Sequence, residues 1–260
     1  MTSHCDNVAI LDADAVSMRY GRLVACDRVC LSVFKGELLG IVGESGSGKS
    51  TLLKCLSGRL EPTSGRVHVD TEGRGKFDLY SLPEQDRRAL RREHFGFVHQ
   101  TPRDGLRMHA SAGANVIEQL LNQGERSYAR LLAVASDWFD RVEIDRARLV
   151  DPPRFFSGGM QQRVQIARSL VHAPRLVFMD EPTGGLDVSV QARLLDLLRQ
   201  LVRDLRLSVV IVTHDLSVAR LLADRLLVMK SGRVVEQGLT DQILDDPKAP
   251  YTQLLVSAAL

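Results

Sequence analysis

The 260-residue chain contains no long run of apolar residues. A helix that crosses a membrane needs about 18 or more consecutive residues that are mainly apolar, and no segment approaches that length. The first residues, Met1 to Leu11, carry Asp6 and lack the basic start and apolar run of a secretory signal peptide. These absences predict a chain that does not span a membrane and that lies in the cytoplasm.

Cysteine is scarce, and its spacing matches no metal site. The chain has four cysteines, Cys5, Cys26, Cys30 and Cys55. They form no Cys-x-x-Cys pair, and no histidine accompanies them at the spacing of a zinc site. The sequence therefore predicts reduced, mostly structural thiols rather than a metal centre.

An excess of one charge is also missing. The 34 Lys and Arg residues nearly balance the 32 Asp and Glu residues, which leaves a net charge of +2. This charge is too small to indicate a nucleic-acid interface. Arginines do cluster between Asp86 and Arg92, but the solvated face of a helix accounts for such a run. No nucleic-acid partner is predicted.

The apolar residues that are present follow the pattern of an α/β fold. They make up 44% of the chain, enough to bury the core of one large domain. Short apolar runs alternate with helical patterns, which is typical of a mainly parallel sheet covered by helices. The four clearest buried strands are Leu38 to Val42, Phe95 to Val98, Leu176 to Met179 and Val209 to Val212.

Two further segments read as antiparallel strands. The stretch from Val8 to Phe34 has short, partly alternating apolar patterns, which predict an antiparallel edge sheet. Near the other end, Leu226 to Met229 and Arg233 to Glu236 flank the turn sequence Ser231-Gly232. This arrangement predicts a β-hairpin.

The pattern becomes helical between about residues 101 and 160. Helices are predicted for Asn115 to Asn122 and for Ser127 to Val142, with breaks at Gly124 and at Pro152-Pro153. We therefore expect a helical subdomain inserted into an α/β core that is formed by residues 1–100 and 161–260.

A glycine-rich stretch directly follows the strand that ends at Val42, and a helical pattern from Leu52 to Leu60 comes after it. Its glycines let successive backbone N–H groups turn inward around phosphate oxygens, and the helix start adds a favourable dipole. Lys49 can reach the terminal phosphates, and Ser50 can bind magnesium. The predicted nucleotide-binding residues of this P-loop are Gly43, Glu44, Ser45, Gly46, Ser47, Gly48, Lys49, Ser50 and Thr51.

Two adjacent carboxylates, Asp180 and Glu181, end the strand that begins at Leu176. Ligands of parallel sheets collect at the carboxyl ends of the strands. Asp180 can hold magnesium, and Glu181 can orient and polarise the attacking water. An acidic pair after a strand also marks a helix N-terminus, but the P-loop favours the catalytic interpretation.

A third element opens the amphipathic helix that runs to about Val171. It contains Ser157, Gly158 and Gly159. Ser157 can cap the helix, and the two glycines leave its first N–H groups open to a phosphate. An ordinary N-cap explains this segment equally well when it is considered alone.

Together these residues resemble the ATP-binding cassette (ABC) ATPases, over nearly the whole chain from about Val8 to Leu260. The family's motifs occur in their usual order: the P-loop, Gln100 after a strand, the signature Ser157 to Gly159, Asp180 and Glu181, the loop Gly185-Leu186-Asp187, and the switch His214 after the strand ending at Thr213. Tyr20 matches the aromatic residue on which adenine stacks, although a tyrosine on an edge strand also serves packing.

The resemblance implies a P-loop NTPase of the RecA-like type, with an antiparallel β subdomain and an inserted helical subdomain. It implies ATP and Mg²⁺ as cofactors and ATP hydrolysis as the reaction. Glu181 would be the catalytic carboxylate, His214 would contact the γ-phosphate, and Gln100 would join Ser50 and Asp180 at the magnesium.

The resemblance also implies a homodimer that encloses two nucleotides. Ser157, Gly158 and Gly159 of one subunit would face the P-loop of the other, and Asp187 would contribute to the same nucleotide sites. The family usually has glutamine after the second signature glycine, where this chain has Met160. The backbone that binds the anion is unaffected, but a side-chain contact across the dimer is in doubt.

Two segments bear on the partner. Pro247 to Leu255 resembles the tail of oligopeptide, dipeptide and nickel importer ATPases, but the docking stretch that those importers carry after Gln100 is replaced here by Thr101 to Met108. This version, together with Phe156 to Arg163 and Met179 to Arg199, resembles the ATP-binding subunits of phosphonate carbon–phosphorus lyase systems, which implies docking on a soluble multisubunit enzyme. An importer ATPase that binds membrane permease subunits is the alternative. A cassette protein acting on DNA or ribosomes fits less well, because such proteins usually carry long insertions or two cassettes.

Overall fold

The computed structural model describes residues 9–71 and 75–258, and Val8 and Cys5 lie outside this part of the chain. The strands are β1 (Ala9–Tyr20), β2 (Leu23–Phe34), β3 (Leu38–Val42), β4 (Ser64–Thr71), β5 (Gly75–Asp78), β6 (Phe95–Val98), β7 (Leu176–Asp180), β8 (Ser208–Thr213), β9 (Arg225–Lys230) and β10 (Arg233–Leu239).

The α-helices are α1 (Lys49–Leu56), α2 (Glu84–His94), α3 (Pro102–Gly105), α4 (Ala112–Asn122), α5 (Tyr128–Arg141), α6 (Gly158–Leu170), α7 (Val188–Leu205), α8 (Leu216–Leu222), α9 (Thr240–Asp245) and α10 (Pro250–Ser257). Short 3-10 helices cover Leu79–Ser81, Arg146–Val150 and Pro153–Phe155. Among the described residues, no helix is long and apolar enough to cross a membrane.

The central sheet has six strands in the order β10-β9-β3-β8-β7-β6. The pairs β9-β3, β3-β8, β8-β7 and β7-β6 are parallel, and β10 closes one edge by an antiparallel hairpin with β9. All four predicted core strands lie in this sheet, and the predicted hairpin is confirmed. Since β3, β8 and β7 are adjacent, the loops that follow them lie side by side at one edge of the sheet.

The second sheet has four antiparallel strands in the order β2-β1-β4-β5. The sequence pattern predicted short strands in its first half, whereas β1 and β2 have 12 residues each. The cause is a set of bulges that shift the register, at Ala15 and Arg28, whose φ angles of 49° and 48° interrupt the alternation of apolar residues. The strands β4 and β5 were missed altogether.

The central sheet separates two hydrophobic cores. Along β3, Leu38 and Val42 pack into one core, while Leu39 and Ile41 pack into the other. The first core holds α6, α7 and α8, and the second holds α1 and the antiparallel sheet. Each large apolar side chain buried in this way contributes about 1.5–3 kcal/mol to folding. Burial on both faces explains why these strands are continuous apolar runs.

Local chemistry sets where the helices begin and end. The side chain of Ser111 accepts from the N–H of Ala114, so α4 begins at Ala112, three residues before the predicted start. Ser127 caps α5 in the same way and lies just outside it. In contrast, α1 ends at Leu56 rather than at Leu60, because Gly58 takes a left-handed φ of 70° soon after.

The chain between β6 and β7 is helical, as the sequence predicts. It contains α3, α4, α5 and α6, and α4 packs against both α5 and α6. Trp138 and Phe139 of α5 are buried in the same core as the sheet-facing residues of α6. The division into residues 1–100, 101–160 and 161–260 stays a prediction, because these helices share a core with the central sheet.

Candidate functional site

A cavity of about 870 Å³ opens at the carboxyl ends of β3, β7 and β8. Twelve of the residues singled out from the sequence line it: Tyr20, Gly43, Glu44, Ser45, Gly46, Gly48, Lys49, Ser50, Thr51, Gln100, Glu181 and His214. They come from five separate stretches of the chain. The parallel sheet brings most of them together, because its strands end at the same edge.

The P-loop connects β3 to α1 and depends on glycine at two close approaches. A Cβ on Gly48 would lie 2.0 Å from the carbonyl oxygen of Ala25, and a Cβ on Gly43 would lie 2.2 Å from that of Met229. Both glycines also have positive φ angles, 103° and 147°. A larger residue at either position would force the loop away from β2 and β9.

Lys49, the first residue of α1, reaches back under the loop. Its Nζ atom donates to the carbonyl oxygens of Gly43 and Glu44, each at 2.7 Å. The residue is only 4% exposed. Burial lowers the pKa of Lys49, and the nearby carboxylates of Glu181, Asp180 and Glu44 oppose that shift. The ammonium group is thus held at the floor of the cavity, where it can meet phosphate oxygens.

Ser50 and Asp180 meet beside the P-loop. The hydroxyl of Ser50 donates to Oδ1 of Asp180 at 2.7 Å. Burial raises the pKa of Asp180, while Ser50, Lys54 and Lys49 oppose the shift. A buried carboxylate next to a hydroxyl oxygen offers the oxygen ligands that Mg²⁺ prefers. The residues present therefore fit a magnesium ion.

Glu181 lies at the centre of the polar groups. Its Oε2 accepts from Nε2 of Gln100 at 3.1 Å, and its Oε1 lies 3.2 Å from Nδ1 of His214. Its φ of 43° is unusual for a residue with a side chain. The backbone is fixed there, because the Glu181 N–H donates to the Val212 carbonyl at 2.9 Å. A carboxylate held in this way can orient and polarise a water molecule.

The other end of the cavity is apolar. Tyr20 is 50% exposed there, and Leu23, Val24 and Ala25 of β2 lie beside it. Sequence reasoning found Tyr20 but not the three β2 residues. Their only signal was their position just before the P-loop strand, which by itself does not separate a ligand-facing residue from a packed one.

The C-terminal helix α10 also reaches the site, which the sequence did not predict. The Glu44 N–H donates to the hydroxyl oxygen of Tyr251 at 3.1 Å. The ammonium of Lys230 lies 4.6 Å from the centre of the Tyr251 ring, and Leu255 lines the cavity. Glu44 and Tyr251 are 207 positions apart, so no local pattern connects them.

Comparisons with known proteins decide the family. The family described as ABC transporter matches residues 26–184. The chain belongs to the ABC family. It is therefore an ABC-type ATPase and an ATP-binding protein, as the sequence predicted.

Relatives in this family include a phosphonate utilization protein and oligopeptide transport proteins. The ABC ATPase is 58% identical over 254 residues to the putative phosphonates utilization ATP-binding protein PhnK of Escherichia coli K12, covering 98% of this chain and 99% of PhnK. It is 36% identical over 240 residues to the oligopeptide transport ATP-binding protein OppD of Salmonella typhimurium, covering 92% of this chain and 71% of OppD.

Solved ABC cassettes share the fold. The cassette MJ0796, solved as a dimer in a post-hydrolysis state bound to ADP and Pi, matches with a TM-score of 0.79 and 30% identity over 88% of this chain and 98% of that chain. The protein cbiO1 from Clostridium perfringens, part of the transporter complex cbiONQ, matches with a TM-score of 0.77 and 28% identity over 92% and 91% of the two chains. The predicted P-loop NTPase fold is confirmed.

The signature residues of this ABC ATPase do not line the cavity. Ser157 and Gly158 are exposed at the start of α6, where the Ser157 hydroxyl accepts from the Met160 N–H at 3.3 Å. Gly159 is buried, and a Cβ on it would lie 2.5 Å from the Val190 side chain. Asp187 is exposed at the start of α7 and also lies outside the cavity lining. These residues therefore lie outside the lining of the chain's own P-loop cavity.

Two other predicted residues lie behind the cavity wall. Ser47 is 4% exposed and Asp180 is 7% exposed, and neither lines the cavity. Asp180 still reaches the site through Ser50. The Ser47 carbonyl accepts from the Gly232 N–H at 2.9 Å, which ties the P-loop to the turn between β9 and β10.

A second, smaller cavity of about 250 Å³ borders strand β6 and is lined by several arginines. Its cationic and imidazole lining consists of Arg59, Arg88, Arg91, Arg92, His99, Arg168 and His172. The Arg59 guanidinium stacks on the ring of Phe97 at 3.9 Å and has no carboxylate partner among residues 9–71 and 75–258. The surplus positive charge favours an acidic ligand or surface.

Proposed function

We propose that this ABC ATPase is the ATP-hydrolysing subunit of a carbon–phosphorus lyase system for phosphonate catabolism, acting in the cytoplasm. The supporting observation is its 58% identity to PhnK, a putative phosphonates utilization protein, over 98% of this chain. A second support is Thr101 to Met108, the segment in which the sequence departs from the importer pattern.

In the proposed reaction, Glu181 polarises the water that attacks the γ-phosphate. Its contacts with Gln100 and His214 support this role, because both partners hold the carboxylate over the P-loop. His214 contacts the γ-phosphate itself. Ser50, Asp180 and Gln100 would hold Mg²⁺, which when bound offsets the charge of the β and γ phosphates. Lys49 supplies a further positive charge from the floor of the site.

The active unit is proposed to be a homodimer. The exposed signature residues Ser157 and Gly158 lie outside the chain's own cavity, and the related cassette MJ0796 is described as a dimer. A second copy related by two-fold symmetry would place each signature on the other subunit's P-loop. Gly159 and Asp187 would then complete the partner's nucleotide site.

The proposed docking surface for the lyase complex comprises residues 103–108 and the adjoining arginine-rich cavity. Arg168 connects the two, because its guanidinium donates to the carbonyl of Gly105. Met108 continues the surface toward the signature, since its carbonyl accepts from the Arg154 N–H at 3.3 Å. The charge of the cavity fits a partner that presents carboxylates.

The experiment is capture of the partner with tagged Glu181→Gln protein, ATP and magnesium, from a detergent-free lysate of phosphonate-grown cells. A lyase partner predicts recovery of a multisubunit enzyme that lacks membrane subunits. Capture should fall as salt rises, because the docking surface is cationic. Recovery only from solubilised membranes, together with integral membrane proteins, would contradict the proposal.

Arg103→Glu is the informative surface variant. Arg103 is exposed and has no ion pair within the described ranges 9–71 and 75–258, so its reversal leaves the fold intact. Arg107 is less suitable, because it already pairs with Glu118 at 2.6 Å. Arg199→Glu on α7 makes the same charge change on another exposed face. The Arg103 variant should lose capture and keep ATP binding, whereas the Arg199 variant should keep both.

The second candidate is the ATPase of a peptide or nickel importer. It is favoured by the C-terminal segment Pro247 to Leu255 and by the 36% identity to OppD. In that case Arg103→Glu would weaken the binding of permease subunits instead. Detergent-dependent capture separates the two candidates.

A further inference from the structure

The outer edge of β6 is covered by side chains of α6 rather than by another strand. Strand β6 is the last in the sheet, so its outward backbone groups need other partners. The hydroxyl of Ser169 donates to the Phe97 carbonyl at 2.8 Å, and Nε2 of His172, just after α6, lies 3.2 Å from the Phe95 carbonyl. Side chains at the end of α6 and just after it thus satisfy the backbone carbonyls of alternate residues in β6.

Gln165 continues this series of contacts to His99, the first residue after the strand. Its Oε1 accepts from the His99 N–H at 2.9 Å, and its Nε2 donates to the His99 carbonyl at 3.0 Å. A single side-chain amide thereby makes the pair of hydrogen bonds that a neighbouring antiparallel residue would make. Nε2 also donates to Oε1 of Gln162 at 3.0 Å. The amide is 1% exposed, so these bonds have no water to replace them.

The space around this amide depends on Gly105. A Cβ on Gly105 would lie 2.2 Å from Oε1 of Gln165 and 3.2 Å from Cδ2 of His99. Gly105 is the last residue of the short helix α3, so space rather than backbone conformation requires a glycine there. An alanine would push Oε1 away from the His99 N–H.

His99 directly precedes Gln100, whose amide contacts Glu181 at 3.1 Å. Gln165 lies two turns into α6, whose first turn contains the signature glycines. We propose that Gln165 is a positioning residue for ATP hydrolysis: it fixes the backbone from which Gln100 reaches Glu181, and it ties that backbone to the signature helix. This role of Gln165 depends on the role proposed above for Gln100. The position of α6 would then be transmitted to Glu181 through the Gln165 amide, the backbone of His99 and Gln100, and the Gln100 side chain.

If Gln165 were only structural, it would satisfy backbone hydrogen bonds at the end of β6. Its replacement would then lower the stability of the fold without changing kcat. Ser169→Ala is the matched control, because it removes a bond from the same helix to the same strand without touching His99. The test measures kcat, KM for ATP with magnesium, and the midpoint of thermal unfolding. The variants are Gln165→Ala, Gly105→Ala, Ser169→Ala and the double variant Gly105→Ala/Gln165→Ala.

Gln165→Ala and Gly105→Ala should each lower kcat by about 10- to 100-fold, with KM changed by less than about twofold, because a shift of the order of 1 Å at Gln100 misplaces the catalytic group. Ser169→Ala should lower the unfolding midpoint and leave kcat within about twofold of the wild-type value. The double variant should have the kcat of Gln165→Ala, because the new Cβ then enters space that the amide has left.

Three results would overturn the role of Gln165. The first is an unchanged kcat in Gln165→Ala, and the second is an equal loss of kcat in Ser169→Ala. The third is a Gly105→Ala substitution that lowers kcat as much in the Gln165→Ala background as in the wild type. If Gln165→Ala fails to fold, Gly105→Ala tests the same contact. Gln100→Ala separates the two hypotheses: a loss of kcat there without a loss in Gln165→Ala refutes the positioning role alone, and no loss refutes the role of Gln100.

Discussion

Lys49 illustrates how single residues prepare this site. Its ammonium group is buried between the carbonyls of Gly43 and Glu44, and both carbonyls belong to the loop proposed to bind phosphate. The charge is stabilised by Asp180 and Glu181 rather than by solvent. A buried cation in a loop rich in N–H donors is suited to a strongly anionic ligand.

Lys49→Ala is expected to weaken ATP binding by about 10- to 100-fold, because a charged hydrogen bond contributes about 1.5–3 kcal/mol. Hydrolysis should be lost, since the variant also lacks the charge that offsets the β and γ phosphates. Binding is measured with a fluorescent ATP analogue, and hydrolysis by phosphate release. Arg199→Ala, which removes an exposed positive charge from α7, is the control. Normal turnover in Lys49→Ala would contradict the assignment of the P-loop.

Glu181→Gln is expected to keep ATP binding and to stop hydrolysis. The amide preserves the shape of the side chain and the left-handed backbone, but it no longer polarises water. ATP should therefore accumulate in a closed dimer, which elutes earlier than the monomer in size-exclusion chromatography. A variant that stays monomeric with ATP, or that still releases phosphate, would count against the role of Glu181.

At the residue scale, the sequence predicted the residues that belong to a local motif and missed contacts between residues that are far apart in the chain. Lys49 and Ser50 follow the loop after β3, and Glu181 directly follows β7, so their meeting at one edge of the sheet could be inferred. Tyr251 and Gln165 could not be found in this way. Their partners, Glu44 and His99, lie 207 and 66 positions away and carry no matching pattern.

At the scale of elements, α10 borders the P-loop cavity, which Leu255 lines. Its start is fixed by Glu236 of β10, whose carboxylate accepts from the N–H groups of Lys248 at 2.8 Å and Ala249 at 3.0 Å. The helix then presents Tyr251 to the P-loop and Leu255 to the cavity. The hairpin of β9 and β10 therefore supports the P-loop through α10, a helix that is far from that loop in the sequence.

Tyr251→Phe is expected to raise KM for ATP by about two- to fivefold, because the Glu44 N–H loses a hydrogen bond of about 1 kcal/mol that steadies the P-loop. The value of kcat should change less, since the ring and its contact with Lys230 remain. Tyr80→Phe is the matched control: its hydroxyl lies 2.6 Å from the carbonyl oxygens of Cys55 and Leu60, at the other end of α1. It should lower the unfolding midpoint without changing KM. An equal KM in Tyr251→Phe and the wild type would show that α10 is only a packing element.

Element type was easier to predict than element length. The amphipathic and buried patterns of α5 and β3 follow from burial on one or both faces, and burial is what periodicity detects. The bulges of β1 and β2 and the early end of α1 depend on single residues with positive φ, such as Ala15 and Gly58. Such backbone conformations interrupt the apolar pattern, so the pattern did not predict two strands of 12 residues.

At the scale of the whole molecule, the signature residues at the start of α6 lie outside the P-loop cavity of the same chain. The cavity contains Lys49, Glu181 and His214, whereas Ser157 is exposed elsewhere on the surface. A two-fold dimer would pair each cavity with the other chain's signature. Defects in the two parts should then complement each other in trans, although each abolishes activity on its own.

The expected complementation is between Ser157→Arg and Lys49→Ala. In a mixed dimer, the site formed by the P-loop of the first variant and the signature of the second contains only wild-type residues. The other site carries both defects. If subunits mix freely and sites act independently, half of the dimers have one of two sites intact, so about a quarter of wild-type activity should return.

The control is a mixture of Lys49→Ala with Glu181→Gln. Both changes lie in the cavity half of the chain, so every site of the mixed dimer contains one of the two defects, and no activity should return. Ser157→Arg also removes an N-cap worth about 1 kcal/mol, so its unfolding midpoint must show that it remains folded. Recovery in the first mixture and none in the second requires a shared site. Equal recovery in both mixtures, or full activity from a strictly monomeric wild-type chain, would instead mean that one chain hydrolyses ATP without its neighbour's signature.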